Sequence, residues 1–444
     1  MFLPVSVRNC IDALEHAGFA AYAVGGCVRD SLLGLVPHDY DLCTAATPEQ
    51  TRQIFSDHPL VLAGLKHGTV GVVTEDGVVE ITTFRREGTY RDGRHPDWVE
   101  FVDDITHDLA RRDFTVNAMA YSPTRGYADP FGGQQDLQNR ILRAVGDPQQ
   151  RFREDALRIL RGVRFAVRYH LTLENNTLSA MFALAPLMEQ LARERVFDEL
   201  NRLLPLIRAE ELLRFSPVIT QVIPELAPAV GFDQHSPYHA YPLYTHIAHV
   251  VEQVPAEPVL RWAALLHDVG KPDACTFDEA GRGHFYGHAK ISAQLADQIL
   301  RRLKAPTALR EQVVLLIERH MTLIEPDRKA VRRWLSRLGS ETMTQLLCLQ
   351  EADMGSKGTG KSTDSEQFAL LRTLIREIEE ENACLTIRDL AVNGHDLMAL
   401  GIHGKEIGQN LQALLEAVLD DRLPNQRQAL LDALHHPCSQ EDSI

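Results

Sequence analysis

Strand signals run through roughly the first 145 residues of this chain and almost vanish after Glu154. Ala20–Val24, Asp39–Thr44, Thr69–Thr74 and Val78–Phe84 read as strands. A helix from Val5 to Ala17 precedes them, and Gly25-Gly26 opens another. Asp76-Gly77 is a strong hairpin-turn signal between the last two strands. Beyond Glu154, Ala156, Leu160, Val163 and Val167 recur at helical spacing, and helical patterns continue to the end. A small α+β domain followed by helical ones is therefore predicted. A length of 444 residues fits two to four domains. Pro and Gly punctuation marks a boundary near Pro228–Tyr241 and another in the Gly355–Asp364 loop.

Hydrophobic residues make up 44% and charged residues 24%, the balance of a globular protein. Apolar runs fall short of the ~20 residues that a membrane span needs, and the opening stretch has no signal-peptide pattern. Seven scattered cysteines, none in a CxxC pair, predict reduced thiols and a cytoplasmic location. The formal charge of −15 disfavours nucleic-acid binding unless basic residues are concentrated locally. Arg143, Arg151, Arg153, Arg158, Arg161, Arg164 and Arg168 form such a concentration.

Asp39-Tyr40-Asp41 falls on a predicted strand, where residues i and i+2 share a face, so both carboxylates can project together. Such a pair suits Mg²⁺ ions that activate a hydroxyl and stabilise a leaving pyrophosphate. By itself the pair reads equally as a solvated strand end. Upstream lies Gly25-Gly26-Cys27-Val28-Arg29-Asp30-Ser31-Leu32-Leu33-Gly34. Two glycines at a strand-to-helix turn let backbone N–H groups approach a triphosphate, and Arg29 can neutralise phosphate charge. A Gly-rich turn closed by an Arg–Asp surface pair is the plainer alternative. GGxVRDxLLG followed by DxD resembles the signature of the DNA polymerase β-like nucleotidyltransferases, in the bacterial branch that holds CCA-adding enzymes and poly(A) polymerases. Arg111-Arg112-Asp113-Phe114-Thr115-Val116-Asn117-Ala118 and Asp129-Pro130-Phe131-Gly132-Gly133 resemble later motifs of that family. The resemblance implies a mixed-sheet, polymerase β-like head, Arg112 as a nucleotide contact, and Asp113 or Glu80 as third catalytic carboxylate beside Asp39 and Asp41.

Glu154-Asp155-Ala156-Leu157-Arg158-Ile159-Leu160-Arg161 places Asp155 and Arg158 at i and i+3 on one predicted helix face. An isolated pair of this kind is usually an intrahelical ion pair worth ~0.2–0.5 kcal/mol. The run is similar to the family's EDxxRxxR motif, which implies that Asp155 and Arg158 read the incoming base. An Asp acceptor suits the exocyclic amine of cytosine or adenine and opposes uracil O4 and guanine O6. Arg161 and Arg164 are expected at the triphosphate or primer. The loop Arg85–Trp98, with Tyr90-Arg91-Asp92-Gly93-Arg94, resembles the flexible element of enzymes that switch from C to A addition.

His246, His267-Asp268, His288, His320 and Asp353 follow one another on predicted helices. The order resembles the HD hydrolase superfamily, and Leu265-Leu266-His267-Asp268-Val269-Gly270-Lys271 strengthens the match. The resemblance implies one divalent ion (Ni, Co, Mn or Fe) on His246, His267, Asp268 and Asp353, with His288 and His320 helping to hold a second. It also implies phosphatase or 2′,3′-cyclic phosphodiesterase chemistry. Gly355–Ser362 fits the P-loop spacing, but a P-loop follows a strand and Thr342–Asp353 reads as a helix. Leu390–Met398 and Gly404–Gly408 resemble C-terminal segments of HD-bearing members of the family.

The expected layout is a head at 1–145, a helical neck at 146–230, an HD region at 231–375 and a helical tail at 376–444, the last a candidate tRNA contact. The expected activity is that of a class II enzyme adding C, C and A to tRNA from CTP and ATP. An A-adding enzyme or poly(A) polymerase shares the same nucleotide motifs. An HD phosphohydrolase with a non-catalytic head is the rival from another class.

Overall fold

The computed structural model describes residues 1–88, 98–358 and 365–435. Of the expected C-to-A switching loop, Arg85–Trp98, residues 89–97 lie outside the described residues, and Arg85–Glu87 is a strand paired with Val99–Phe101 rather than loop. The chain forms two compact units, Met1–Ala227 with Arg302–Ala305, and Pro228–Arg301 with Pro306–Ile444. The expected head and neck fall together in the first unit.

The head is built on nine short strands: β1 (Ala21–Val24), β2 (Leu42–Thr44), β3 (Leu60–Val61), β4 (Thr69–Thr74), β5 (Gly77–Thr83), β6 (Arg85–Glu87), β7 (Val99–Phe101), β8 (Ala120–Ser122) and β9 (Gly126–Ala128). Seven of them form a mixed sheet in the order β3-β4-β5-β2-β1-β8-β9, and β6 pairs separately with β7. Only the β2–β5 pair in that sheet is parallel. Alternation drives the hairpin: Val70, Val72, Val79 and Ile81 are buried while Val78 and Glu80 face outward. Thr74 pairs with Gly77, so the two turn residues are Glu75 and Asp76. The turn sits one residue earlier than expected, because Gly77, at φ +125°, is the first residue of β5. The helix Val5–His16 buries Val7, Cys10, Ile11 and Leu14, the i, i+3, i+4, i+7 stripe of an amphipathic helix.

β2 also starts later than expected. Asp39-Tyr40-Asp41 lies before the strand rather than in it, tied to the sheet where the Val24 N–H donates to the Asp41 carbonyl at 2.9 Å. The two carboxylates thus stand at the open end of the sheet.

From Pro148 onward the first unit is helical apart from Thr172–Leu173, which pairs with Ile141–Leu142. The helix Leu157–Tyr169 is buried along nearly its whole length and ends on His170 in the left-handed region. Gly162 lets it lie against Phe114, since a Cβ there would come within 2.9 Å of the Phe114 ring. The second unit is built of helices plus one small hairpin, Thr276–Phe277 with Gly283–His284. At its C-terminal end Leu397, Leu411, Leu414, Leu415, Val418 and Leu430 form a core of their own. Among the described residues, no helix is long and apolar enough to cross a membrane.

Candidate functional site

In the first unit, one cleft of about 480 Å³ is lined by Gly25, Gly26, Asp39 and Asp41 from the head and by Asp155, Arg158, Arg161 and Arg164 from the helical part. Ligand sites commonly enclose ~300–1,000 Å³, so a nucleotide is within its capacity. Arg111, Arg112, Arg168 and Arg195 complete a lining of eight arginines, with Arg29, against four aspartates. Local charge is therefore positive in a chain of net −15. The basic residues gathered there differ from the sequence cluster. Arg143 pairs with Asp136, Arg151 with Glu154, and Arg153 donates to Gln149.

Gly25 has φ +80°, and a Cβ there would meet Arg112 Nη1 at 2.9 Å, so this turn requires glycine. Arg112 also reaches Asp108 at 3.2 Å. Arg29 lines the cleft, but it spends its donors inside the protein, on Asp30, Asn117 and the Tyr169 hydroxyl. Its guanidinium also lies 4.2 Å from the Tyr169 ring centroid. The structure makes it a brace between the glycine turn and the long helix rather than a free phosphate ligand.

Asp39 and Asp41 keep solvent access at the cleft mouth. The Asp41 carboxyl is nonetheless pushed up, first by the low-dielectric protein around it and then by Asp39 and Glu80, with Arg112 opposing. Glu80 is the neighbour of Asp41 because β2 and β5 run parallel with Leu42 opposite Ile81. Asp113 is committed elsewhere. It accepts from Arg161 Nε at 2.8 Å, from Asn117 at 3.0 Å and from the Phe114 N–H at 2.9 Å. Burial opposes its ionisation, but Arg161 and Asn117 outweigh burial and hold it at about 2. Of the two candidates for a third metal-binding carboxylate, the geometry supports Glu80 over Asp113.

The Asp113 pair carries a prediction. Its folded-state value lies below the ordinary 3.8, so its stabilisation is complete above that value and is lost as pH falls through about 2. Asp113→Asn is expected to cost about 2 kcal/mol at pH 7. Denaturant melts of wild type and variant should converge as the pH falls from 4 toward ~2. A pH-independent difference would assign the loss to packing alone.

Asp155 and Arg158 do not share one helix face or pair with each other. Asp155 ends the helix Pro148–Glu154 in an extended conformation, ahead of the helix Leu157–Tyr169. Its Oδ1 accepts from the Leu157 N–H at 3.0 Å and from Arg195 at 3.5 Å, and its Oδ2 accepts from Arg195 at 2.7 Å. Arg158 donates to Glu154 at 2.7 Å and to the carbonyls of Arg151 and Arg111. Each member is fixed by its own partners. Arg195, on the helix Arg193–Leu203, carried no motif signal forty residues away. Arg164 pairs with buried Glu199 at 2.6 Å, and Phe165 lies 5.2 Å and 4.5 Å from the Arg161 and Arg164 guanidiniums. The ring spaces like charges that would otherwise repel.

The second unit brings the expected histidines and aspartates together. Ligand atoms of His246, His267, Asp268 and Asp353 lie within 4.8 Å of one another, as do those of Asp268, His288 and His320. His246 and Asp353 sit within helices and His288 begins one, whereas His267, Asp268 and His320 lie just past helix ends. All four histidines donate Nδ1–H to backbone carbonyls, of Ser356 (3.2 Å), Ala264 (2.8 Å), Phe285 (2.7 Å) and Ile317 (2.6 Å). Their buried Nε2 atoms face carboxylate oxygens rather than solvent, and Asp268 Oδ2 also lies 2.7 Å from Lys271 Nζ. Four imidazoles held through Nδ1, with Nε2 turned toward two buried carboxylates, fit divalent cations. Asp268 stands between the two groups: Oδ2 faces His246 (3.4 Å) and His267 (3.2 Å), while Oδ1 faces His288 (3.3 Å) and His320 (3.8 Å). Burial would lower the His246 imidazolium, yet hydrogen bonds to Asp268 and Asp353 hold it up at about 9. The carboxylates thus create a demand for positive charge.

Gly355–Ser362 follows the helix Ser340–Gly355 rather than a strand, which removes the P-loop context; 359–364 lie outside the described residues. The start of this loop has a different use, since the Ser356 carbonyl orients His246.

Comparison with known proteins agrees with this layout. Residues 21–143 match a poly A polymerase head domain, 170–230 a probable RNA and SrmB-binding site of polymerase A, and 284–434 a putative tRNA nucleotidyltransferase domain 2. The chain is 33% identical over 438 residues to the CCA-adding enzyme of Streptococcus gordonii, covering 96% of this chain and 97% of the relative. It is also 33% identical over 439 residues to that of Lactiplantibacillus plantarum, covering 96% and 95%. The crystal structure of the Bacillus stearothermophilus CCA-adding enzyme in complex with CTP is similar over 97% of both chains, with 28% identity and a TM-score of 0.70. With a third of its residues identical across nearly the full length of both relatives, this chain belongs to the family of CCA-adding enzymes.

Proposed function

We propose that this chain is a class II enzyme that adds C, C and A in turn to tRNA 3′ ends from CTP and ATP without a nucleic-acid template, in the cytoplasm. The observation that carries the reading is a single cleft holding the Asp39–Asp41 pair and the separately braced Asp155 and Arg158. Mg²⁺ at Asp39 and Asp41, with Glu80 as third carboxylate, would supply charge neutralisation for the primer 3′-hydroxyl and the departing pyrophosphate. The residues themselves position the reactants. Gly25 and Gly26 allow the triphosphate close to the backbone, and Arg112, Arg161 and Arg164 supply charge beside it. Asp155, with a lone pair left on Oδ2, accepts from the exocyclic amine of cytosine or adenine, and Arg158 donates to the same base edge. Uracil and guanine present an oxygen to Asp155 and are refused.

We read residues 231–375 as an HD region, a metal-dependent phosphatase or 2′,3′-cyclic phosphodiesterase using Ni, Co, Mn or Fe. The two histidine–aspartate groups support this reading. The tail, 376–444, is read as a tRNA contact.

The deciding experiment extends three 5′-labelled tRNA transcripts, ending before CCA, after C and after CC, with Mg²⁺ and CTP, ATP or both. Two C and one A followed by arrest supports the proposal. Addition of A only to the CC-ended transcript would make it an A-adding enzyme, and long A tails a poly(A) polymerase. No extension at all would leave a phosphohydrolase with a binding head. In the same assay, Asp155→Ala is expected to lower discrimination against UTP and GTP at least ~10-fold, the scale of one lost base-edge contact. Unchanged discrimination would overturn the base-reading role.

A further inference from the structure

A carboxylate that does not itself line the cleft of the first unit stands behind two of its arginines. Asp108 lies on the short helix Ile105–Ala110, and its side chain is wholly buried. Its Oδ1 accepts from Arg111 Nε at 3.0 Å and from Arg111 Nη2 at 2.7 Å. Its Oδ2 accepts from Arg112 Nη2 at 3.2 Å. Both arginines line the cleft and keep part of their side chains exposed. Burial opposes ionisation of Asp108, but the two guanidiniums outweigh it and hold the carboxyl below its ordinary range.

An ionised carboxylate is costly to bury, and an apolar residue of similar size would fill the same space at lower cost. What the carboxylate adds is orientation. Shared between two guanidiniums, it leaves a net positive charge, and both carriers of that charge face the cleft. Arg112 is the more lightly held of the two. Among the described residues its side chain donates to Asp108 through Nη2, while Nη1 stands at the Gly25 turn, 2.9 Å from where a Cβ would be. Nη1 thus keeps its donors for a ligand. Arg112 also has a competing partner, because its charge acts on Asp41. Released from Asp108, it would close onto that carboxylate.

We propose that Asp108 is a positioning residue for nucleotide binding: it holds Arg112, with Arg111 as its second anchor, turned toward the triphosphate and off Asp41. The proposal rests on the reading of this cleft as the nucleotide site and adds a residue that touches no substrate.

The test uses the full chain with Mg²⁺ and without tRNA, and measures equilibrium binding of CTP, UTP and inorganic tripolyphosphate. In Asp108→Asn the charge is lost, and the amide offers one acceptor oxygen for two arginines. CTP and tripolyphosphate are each expected to bind about 10-fold more weakly. The ratio of CTP to UTP affinity should stay as in wild type, since Asp155 and Arg158 keep their own partners. Asp136→Asn is the control, a buried aspartate paired with Arg143 and outside the cleft lining, and it should leave all three affinities unchanged. Arg112→Ala should weaken tripolyphosphate binding about 10-fold as well, and Asp108→Asn should add little to that loss. Arg112→Lys leaves Asp108 in place and keeps the charge but not the planar fork that Asp108 orients, so it should bind tripolyphosphate as weakly as Arg112→Ala. Wild-type tripolyphosphate affinity in Asp108→Asn or in Arg112→Lys, with Arg112→Ala impaired, overturns the positioning role alone. An equal loss in Asp136→Asn, or a fall in the CTP-to-UTP ratio alongside the tripolyphosphate loss, overturns it by assigning the effect to loosening of the unit. Unchanged binding in Arg112→Ala overturns the reading of Arg112 as a nucleotide contact, and the proposal with it.

Discussion

Replacing Asp41 by Asn is expected to reduce nucleotide addition on the order of 10³-fold or more, with the fold and the metal content of the second unit retained. Asp41 stands at the open end of β2, crowded by Asp39 and Glu80. Crowding of this kind raises a carboxyl's proton affinity unless a cation offsets it, so the isosteric amide removes charge without removing packing. Glu80→Gln should show a loss in the same direction, because Glu80 reaches Asp41 through the parallel β2–β5 register. Asp113→Asn should differ from both: its pairing with Arg161 predicts a loss of stability before a loss of chemistry. Single-turnover addition of one C to a tRNA lacking CCA, measured with thermal melts of the same preparations, separates the cases. Full activity in Asp41→Asn would remove the carboxylate pair from the reaction. A larger rate loss in Asp113→Asn than in Glu80→Gln would return Asp113 to the metal site.

Why the sequence left that choice open is physical. Asp39 and Asp41 are visible because two residues two apart in extended chain share a face. Glu80 becomes their neighbour only through a crossover that lays β5 parallel to β2, and no local pattern specifies which strands pair. Asp113 advertises itself by sitting in a motif, yet its carboxylate is consumed by Arg161. The partners that brace Arg29 were hidden for the same reason, since Asn117 and Tyr169 lie far along the chain. The Asp155–Arg158 spacing was legible, but the helix breaks between Glu154 and Leu157, so i, i+3 gives a backbone hydrogen bond (Arg158 N–H to the Asp155 carbonyl, 3.0 Å) and no side-chain pair. Arg195, which fixes Asp155, belongs to another helix and could not be assigned from spacing. The second-unit residues were more legible. His, His-Asp and Asp in that order point to residues that the structure gathers into one cluster, while the Nδ1–carbonyl bonds that aim the histidines arise from helix ends and the Ser356 loop.

Those bonds lead to the second large effect. Stripping metal from the second unit is expected to lower its melting temperature by ~10 °C at metal concentrations ~1,000-fold above the dissociation constant, a stabilisation of ~4 kcal/mol. Without a cation, Asp268 and Asp353 remain buried carboxylates held only by the Nε2 atoms of the surrounding histidines and by Lys271. Trp262, fully buried five residues before His267, is a reporter for this region. Chelation should shift its unfolding transition downward, and Mn²⁺, Co²⁺ or Ni²⁺ should restore it in proportion to metal bound. His267→Ala should bind less metal and lose its response to chelator, even where its own melting point has fallen. That distinction matters, because any cavity at a buried histidine destabilises, whereas only a metal ligand couples stability to metal concentration. An unchanged transition after complete removal of metal, checked by elemental analysis, would mean that the buried cluster is held by its internal hydrogen bonds alone.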